Sequence, residues 1–150
     1  MCALNRGGIF IWGEPMANEM YRKGLEAFLR SQIDWERSTI RAVLLDLAAY
    51  QPNLLTDQFL SVIPEAARVA ISPALTQKTA TDGVADAADL VIPSVGGAEA
   101  EALALFADTG NPATSRLICL IDTAVGLPAA AGGSDISIIW DNGANKIFRL

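Results

Sequence analysis

Hydrophobic and polar positions alternate most clearly at the end of the chain. Ile136, Ile138 and Trp140 interleave with Ser137, Ile139 and Asp141, the period of two of a half-buried strand. Asp141-Asn142-Gly143 supplies residues that tolerate positive φ and so favour a turn. Lys146-Ile147-Phe148-Arg149-Leu150 then alternates again. The pattern predicts a terminal β-hairpin. A lone hairpin is marginal in water. Burying Ile136, Ile138 and Trp140 is worth about 1.5–3 kcal/mol each, but only against a second layer.

The rest of the chain supplies candidates for that layer. Residues 17–33 have helical spacing: Tyr21, Leu25, Phe28, Leu29 and Ile33 fall on one face, Arg22, Lys23, Glu26 and Arg30 on the other, and Asn18 is a possible cap. Residues 39–47 form a nearly continuous apolar run, which predicts a strand covered on both faces. A loop around Pro52 follows, then a short helical turn with Phe59, Leu60 and Ile63, ended by Pro64. A strand over 67–75 contains Pro73, which places its end at a sheet edge. Residues 76–86 are polar and carry the turn signal Asp82-Gly83. A strand over 87–95 and a Gly96-Gly97 turn come next.

Residues 98–107 are rich in Ala, Glu and Leu, which favour helix. Glu99, Glu101, Leu103 and Leu105 nevertheless alternate strictly with alanines, and the flanking elements are strands, so a strand is expected. Residues 116–122 read as another, with Leu117, Cys119 and Ile121 facing one way and Ile118 and Leu120 the other. Several short strands with regular turns predict a mainly β domain, a β-sandwich or small barrel, with one N-terminal amphipathic helix and a C-terminal β-hairpin. It spans residues 16–150, behind an arm of residues 1–15.

Composition narrows the function. Of 150 residues, 51% are hydrophobic and 19% charged, enough apolar material for a core and contrary to disorder. The net charge of −6, with no basic cluster, argues against nucleic-acid and anionic-membrane partners. No apolar run approaches the length of a membrane-spanning helix. There is no His, which removes the commonest metal ligand and general base. Cys2 and Cys119 form no Cys-x-x-Cys pair, and Cys119 reads as a small buried hydrophobe in a protein made in a reducing cytosol. Ser94, Ser115 and Ser134 have no His to activate them. Gly7-Gly8, Gly96-Gly97 and Gly132-Gly133 match no phosphate-binding pattern. No catalytic residue, cofactor or metal is therefore expected.

Carboxylates are the remaining chemistry. Asp82, Asp86 and Asp89 cluster with Thr79 and Thr81. An oxygen-rich cation site or acid–base pair is one reading, and a solvated polar turn is the preferred one. Asp108, Asp122 and Asp141 each sit at a strand end, where turn chemistry is again the simpler reading. Two facing acids in one pocket would instead mark a carboxylate-based hydrolase. Trp35, Tyr50 and Trp140 are the aromatics that could stack on a sugar, although Trp140 reads as buried. The arm holds Phe10 and Trp12 in a compact apolar knot. It could reach a neighbouring molecule or pack on its own domain. Alternatively, translation could begin at Met16, since codons for Trp12-Gly13-Glu14 can spell a purine-rich ribosome-binding sequence.

Four segments carry a resemblance: residues 81–89 (TDGVADAAD), 108–118 with Asp108-Thr109-Gly110 and Thr114-Ser115-Arg116-Leu117-Ile118, 121–128 with Ile121-Asp122-Thr123-Ala124 and Gly126-Leu127-Pro128, and 140–148 (WDNGANKIF). From about Met16 to the end, the chain resembles small proteins encoded among the structural genes of tailed bacteriophages and prophages. The resemblance implies a virion structural protein. The first expectation is a capsid decoration (cement) protein on the outer surface of the head, bound to the major capsid protein, with self-association as a homo-oligomer a further option. A tail or head–tail junction component, or a β-sandwich binding module, is the alternative. Phe10, Trp12, Arg22 and Lys23 are the expected partner contacts.

Overall fold

A computed structural model describes strand β1 (Cys2–Ala3) and residues 19–130, 132–144 and 146–150. The described part is mainly β, with three sheets and one α-helix. The central sheet has five strands in the order β2-β9-β8-β3-β4, all neighbours antiparallel. These are β2 (Glu19–Met20), β3 (Ile40–Leu45), β4 (Arg68–Ile71), β8 (Ala102–Ala107) and β9 (Arg116–Ile121). A two-stranded ladder pairs β7 (Leu90–Gly96) with β10 (Gly132–Ile138). A third sheet runs β1-β11-β6-β5, with β5 (Thr79–Thr81), β6 (Val84–Asp86) and β11 (Phe148–Arg149). In that sheet β1 lies parallel to β11.

The central sheet is buried on both faces, as the apolar runs of β3 and β8 require. Every residue of β8 is buried. Leu103, Leu105 and Ala107 point to one side and pack with Ile40, Ala42 and Leu44 of β3 against Leu90, Ile92, Ile136, Ile138 and Trp140 from the β7/β10 ladder. Phe148 joins the same cluster, edge-on to Trp35 at 5.0 Å and beside Phe28. Ala102, Ala104 and Phe106 point to the other side, with Val43, Leu45, Leu60, Ile63, Tyr21 and Tyr50. The alternation over 98–107 therefore prevails over helix propensity, because only a strand sends its leucines and alanines to opposite faces. Pro73 does lie just past an edge strand: β4 pairs with β3 alone, and Ser72 Oγ takes over the pairing by accepting the amide of Ala42 at 2.8 Å.

Three expectations are corrected. The terminal hairpin does not form among the described residues: β10 pairs with β7, and β11 pairs with β6 and β1. Trp140 explains the divergence. Its amide donates to the Asp89 carboxylate and its indole N–H to the Ala88 carbonyl, both at 3.0 Å, so the chain is tied down before the turn. Asp141 Oδ1 then accepts the Gly143 amide, and the chain crosses to the other sheet. The short hairpin lies instead at Asp82-Gly83, whose φ values of 54° and 75° are what a two-residue turn between antiparallel strands demands.

The alternation of β9 is also broken. Leu105 opposes Cys119 but Phe106 opposes Leu117, so Ile118 is the extra residue of a bulge. Leu117 consequently faces with Leu120, while Ile118 joins Cys119 and Ile121. The helix, finally, is α1 (Arg22–Leu29), shorter than the 17–33 pattern, with Tyr21 rather than Asn18 at its N-cap; Asn18 lies outside the described residues. It packs through Gly24 and Ala27, with Leu25 and Phe28 of the expected apolar face partly buried against the core, while Leu29 is 88% exposed. The reason is close approach. A Cβ on Gly24 would lie 2.7 Å from the Leu117 carbonyl and 2.8 Å from that of Ile118, so glycine is what fits where the helix meets β9.

Candidate functional site

Of the expected contact residues, Phe10 and Trp12 lie outside the described residues. Arg22 opens α1 and is exposed. Lys23 pairs its ammonium with Glu26 at 3.1 Å on the helix surface. Glu26 also meets Arg30 at 3.1 Å, and its carboxyl is held below the usual range by the Lys23 hydrogen bond and the charges of Lys23 and Arg30. The exposed face of the helix is thus a local ion-pair network. The three aromatics considered for sugar stacking, Trp35, Tyr50 and Trp140, are all buried, and none presents a ring face to solvent.

The strand-end aspartates do structural work. Asp108 receives Arg41 Nε at 2.7 Å and the Gly110 amide at 2.8 Å. Asp141 receives Gly143. Asp122 sits at the end of β9, and burial pushes its carboxyl up. Ser115 is buried, with its hydroxyl donated to the Asn111 carbonyl at 2.9 Å. Cys119 is a free, buried thiol. Among the described residues no three His, Cys, Asp or Glu side chains come together as a metal site. No helix of the described residues is long and apolar enough to cross a membrane.

One polar group of the interior escaped the sequence pattern. Tyr21 and Tyr50 hydroxyls lie 3.1 Å apart, and Tyr50 donates to Asp57 Oδ2 at 2.6 Å. The same carboxylate oxygen accepts the Asn53 amide at 2.8 Å. Burial, the neighbouring Tyr21 and the bond to Asp57 all push the Tyr50 phenol far above its ordinary range. The phenol therefore stays protonated and serves as a fixed donor. Arg68 completes this side, with its guanidinium on the carbonyls of Ile63 and Leu60. The signal was present as two tyrosines and an aspartate, but 29 residues separate the tyrosines, and only the fold joins them.

Two surface features remain. The first is an apolar strip. In the β7/β10 ladder Ser137 opposes Val91, and Ile139 forms a bridge with Val125. Val91, Val125 and Ile139 are all well exposed, Val125 by 63%. Beside them a cavity of about 280 Å³ is lined by Ile121, Ala124, Trp140 and Ile147, among others. The second is a polar basin of about 340 Å³, lined by Thr79, Thr81, Asp82, Val84, Asp86, Lys146 and Arg149. It gathers most of the Asp/Thr cluster, but Asp89 is elsewhere, bonded to the Trp140 amide. No protein-family model and no curated protein sequence matches the chain.

Proposed function

We propose that the protein is a non-enzymatic structural component of a tailed-bacteriophage particle, a decoration protein seated on the outside of the capsid. The finer architecture is read as a sandwich, with the central sheet stacked on the two smaller ones. The four segments that resemble phage and prophage structural-module proteins support the assignment. The observation that carries the adhesive role is the exposed strip of Val91, Val125 and Ile139. Apolar side chains grouped on one outward sheet face are the usual mark of a surface that meets another protein. A body held rigid by three sheets can bridge two capsid subunits. Once one contact is made, the second is effectively intramolecular and avidity rises. A stable contact of this kind covers about 1,200–2,000 Å², so the strip would be its apolar centre and the surrounding polar surface its rim.

The test is fractionation of intact particles carrying the wild-type protein or Val125→Asp/Ile139→Asp. Wild-type protein is expected on heads in a fixed ratio to the major capsid protein, and the double variant is expected to be lost from them. Wild-type protein found only on tails would assign it to the tail or head–tail junction. Its absence from purified particles, or an unchanged head ratio for the double variant, would overturn the assignment.

A further inference from the structure

We infer that the basin between β5, β6 and β11 is a binding site for an acidic sugar, a hydroxyl-rich ring bearing one carboxylate. The backbone register builds it. Val84 opposes both Thr81 and Arg149, and Asp86 opposes Thr79. Ala85 and Phe148 oppose each other and point into the core, so the alternation turns Val84, Asp86 and Arg149 outward to one face. Lys146, four residues from Asn142 and weakly bonded to its carbonyl, closes the rim.

The charge pattern selects the ligand. The chain carries 17 acids and 11 Lys or Arg, yet neither Lys146 nor Arg149 has a carboxylate within ion-pairing distance among the described residues. Two such cations lining one basin suit an external anion, and a guanidinium meets a single carboxylate in bidentate fashion. Asp82 and Asp86 share the basin. They would repel a multiply charged phosphate, but they accept hydrogen bonds from sugar hydroxyls, as do Thr79 and Thr81. Val84 offers an apolar patch for the C–H face of the ring. The basin's volume of about 340 Å³ falls at the small end of small-molecule sites, the scale of a monosaccharide unit. A divalent cation is a poorer fit, because two carboxylates with two cations give it too few oxygens and the wrong net charge.

The experiment is amide-resolved NMR titration of the isolated full chain with galacturonate, galactose and succinate. Galacturonate is expected to shift amides of residues 79–86 and 146–149, with galactose and succinate each at least about tenfold weaker. Arg149→Ala should weaken galacturonate by at least about tenfold, as loss of a charge-assisted bond implies, and Arg149→Lys should recover part of it. Retention of the wild-type spectrum outside the basin will show that each variant folds. Absence of galacturonate shifts in the basin, or an unchanged affinity in Arg149→Ala, would overturn the inference. Succinate binding as well as galacturonate would reduce the basin to a simple carboxylate site and refute the sugar class. The assay needs no phage particle, so its outcome is independent of the decoration role.

Discussion

The two faces of the central sheet are closed by different means. One is covered by other sheets, and its contacts are almost wholly apolar: Ile92, Ile136, Ile138, Trp140 and Phe148 fill it. The indole N–H groups of Trp35 and Trp140 reach backbone carbonyls of Asp86 and Ala88, so the aromatics pack without orphaned donors. The other face is covered by the irregular stretch between β3 and β4, which includes two single turns of 3₁₀-helix at Leu60–Val62 and Glu65–Ala67. Irregular backbone has no ladder to satisfy its polar groups. Turn bonds and bonds to neighbouring segments, such as the Leu60 amide on the Ser115 carbonyl at 2.8 Å, supply most partners here, and Asp57 and Arg68 add side-chain partners for the Asn53 amide and the Ile63 and Leu60 carbonyls. The strand-covered side is held by apolar packing, whereas the loop-covered side also encloses a polar cluster of Tyr21, Tyr50 and Asp57.

Breaking the sheet-covered side should cost most. Phe148→Ala removes the ring that joins Trp35 and Phe28 and should lower unfolding free energy by about 3–5 kcal/mol, measured by urea denaturation. The loop-covered side has its own test in Asp57→Ala. That change leaves the buried Tyr50 hydroxyl with Tyr21 as its one remaining partner and removes the acceptor of the Asn53 amide, at about 1–3 kcal/mol in unfolding free energy. If the two sides are energetically separate, the double variant should be additive to within about 0.3–0.5 kcal/mol. A larger coupling would contradict the contrast.

Gly24→Ala probes the helix that abuts the bulge. An exposed helical Gly→Ala change stabilises, but here the Cβ meets backbone oxygens at 2.7 and 2.8 Å. The expected result is destabilisation by about 1–3 kcal/mol, as for an overpacked core. A gain in stability would show that α1 does not sit this close to β9.

Alkaline pH should separate the two faces again. The folded Tyr50 phenol titrates far above its unfolded value. Its contribution is therefore intact below about pH 10, the ordinary tyrosine value. Above that pH the unfolded chain loses the proton and the folded chain keeps it, so stability falls as pH rises. Tyr50→Phe should flatten this alkaline slope in denaturation midpoints measured from pH 8 to 11. A slope identical to wild type would remove Tyr50 from the account. Least of all, Lys23→Ala should leave the denaturation midpoint unchanged, because its partner Glu26 is at the surface and exposed ion pairs contribute little.

Local pattern was enough for the apolar strands but not for β5 and β6, which lie in the stretch read as a polar turn. Alternation of Ile136, Ile138 and Trp140 put those residues inward, and the unbroken apolar run of β3 announced a strand covered on both sides. The carboxylate cluster was equally visible at Asp82 and Asp86, but its cations were not. Lys146 and Arg149 come from a segment that the sequence pairs with β10 and the fold pairs with β6. Two similar turn signals met opposite fates, since Asp82-Gly83 closes a hairpin while Asn142-Gly143 follows a chain already tethered by Trp140.

Side-chain periodicity thus determined the apolar strands and, where no bulge intervenes, which way their residues face, because the pleat is a property of a few consecutive residues. Which strands meet, where β9 bulges, and which distant tyrosines hydrogen-bond to each other were decided only by tertiary structure. Those choices are made between segments tens of residues apart. Their free energies come from the packing of whole faces and the satisfaction of buried polar groups, and neither is encoded in any short window of the chain.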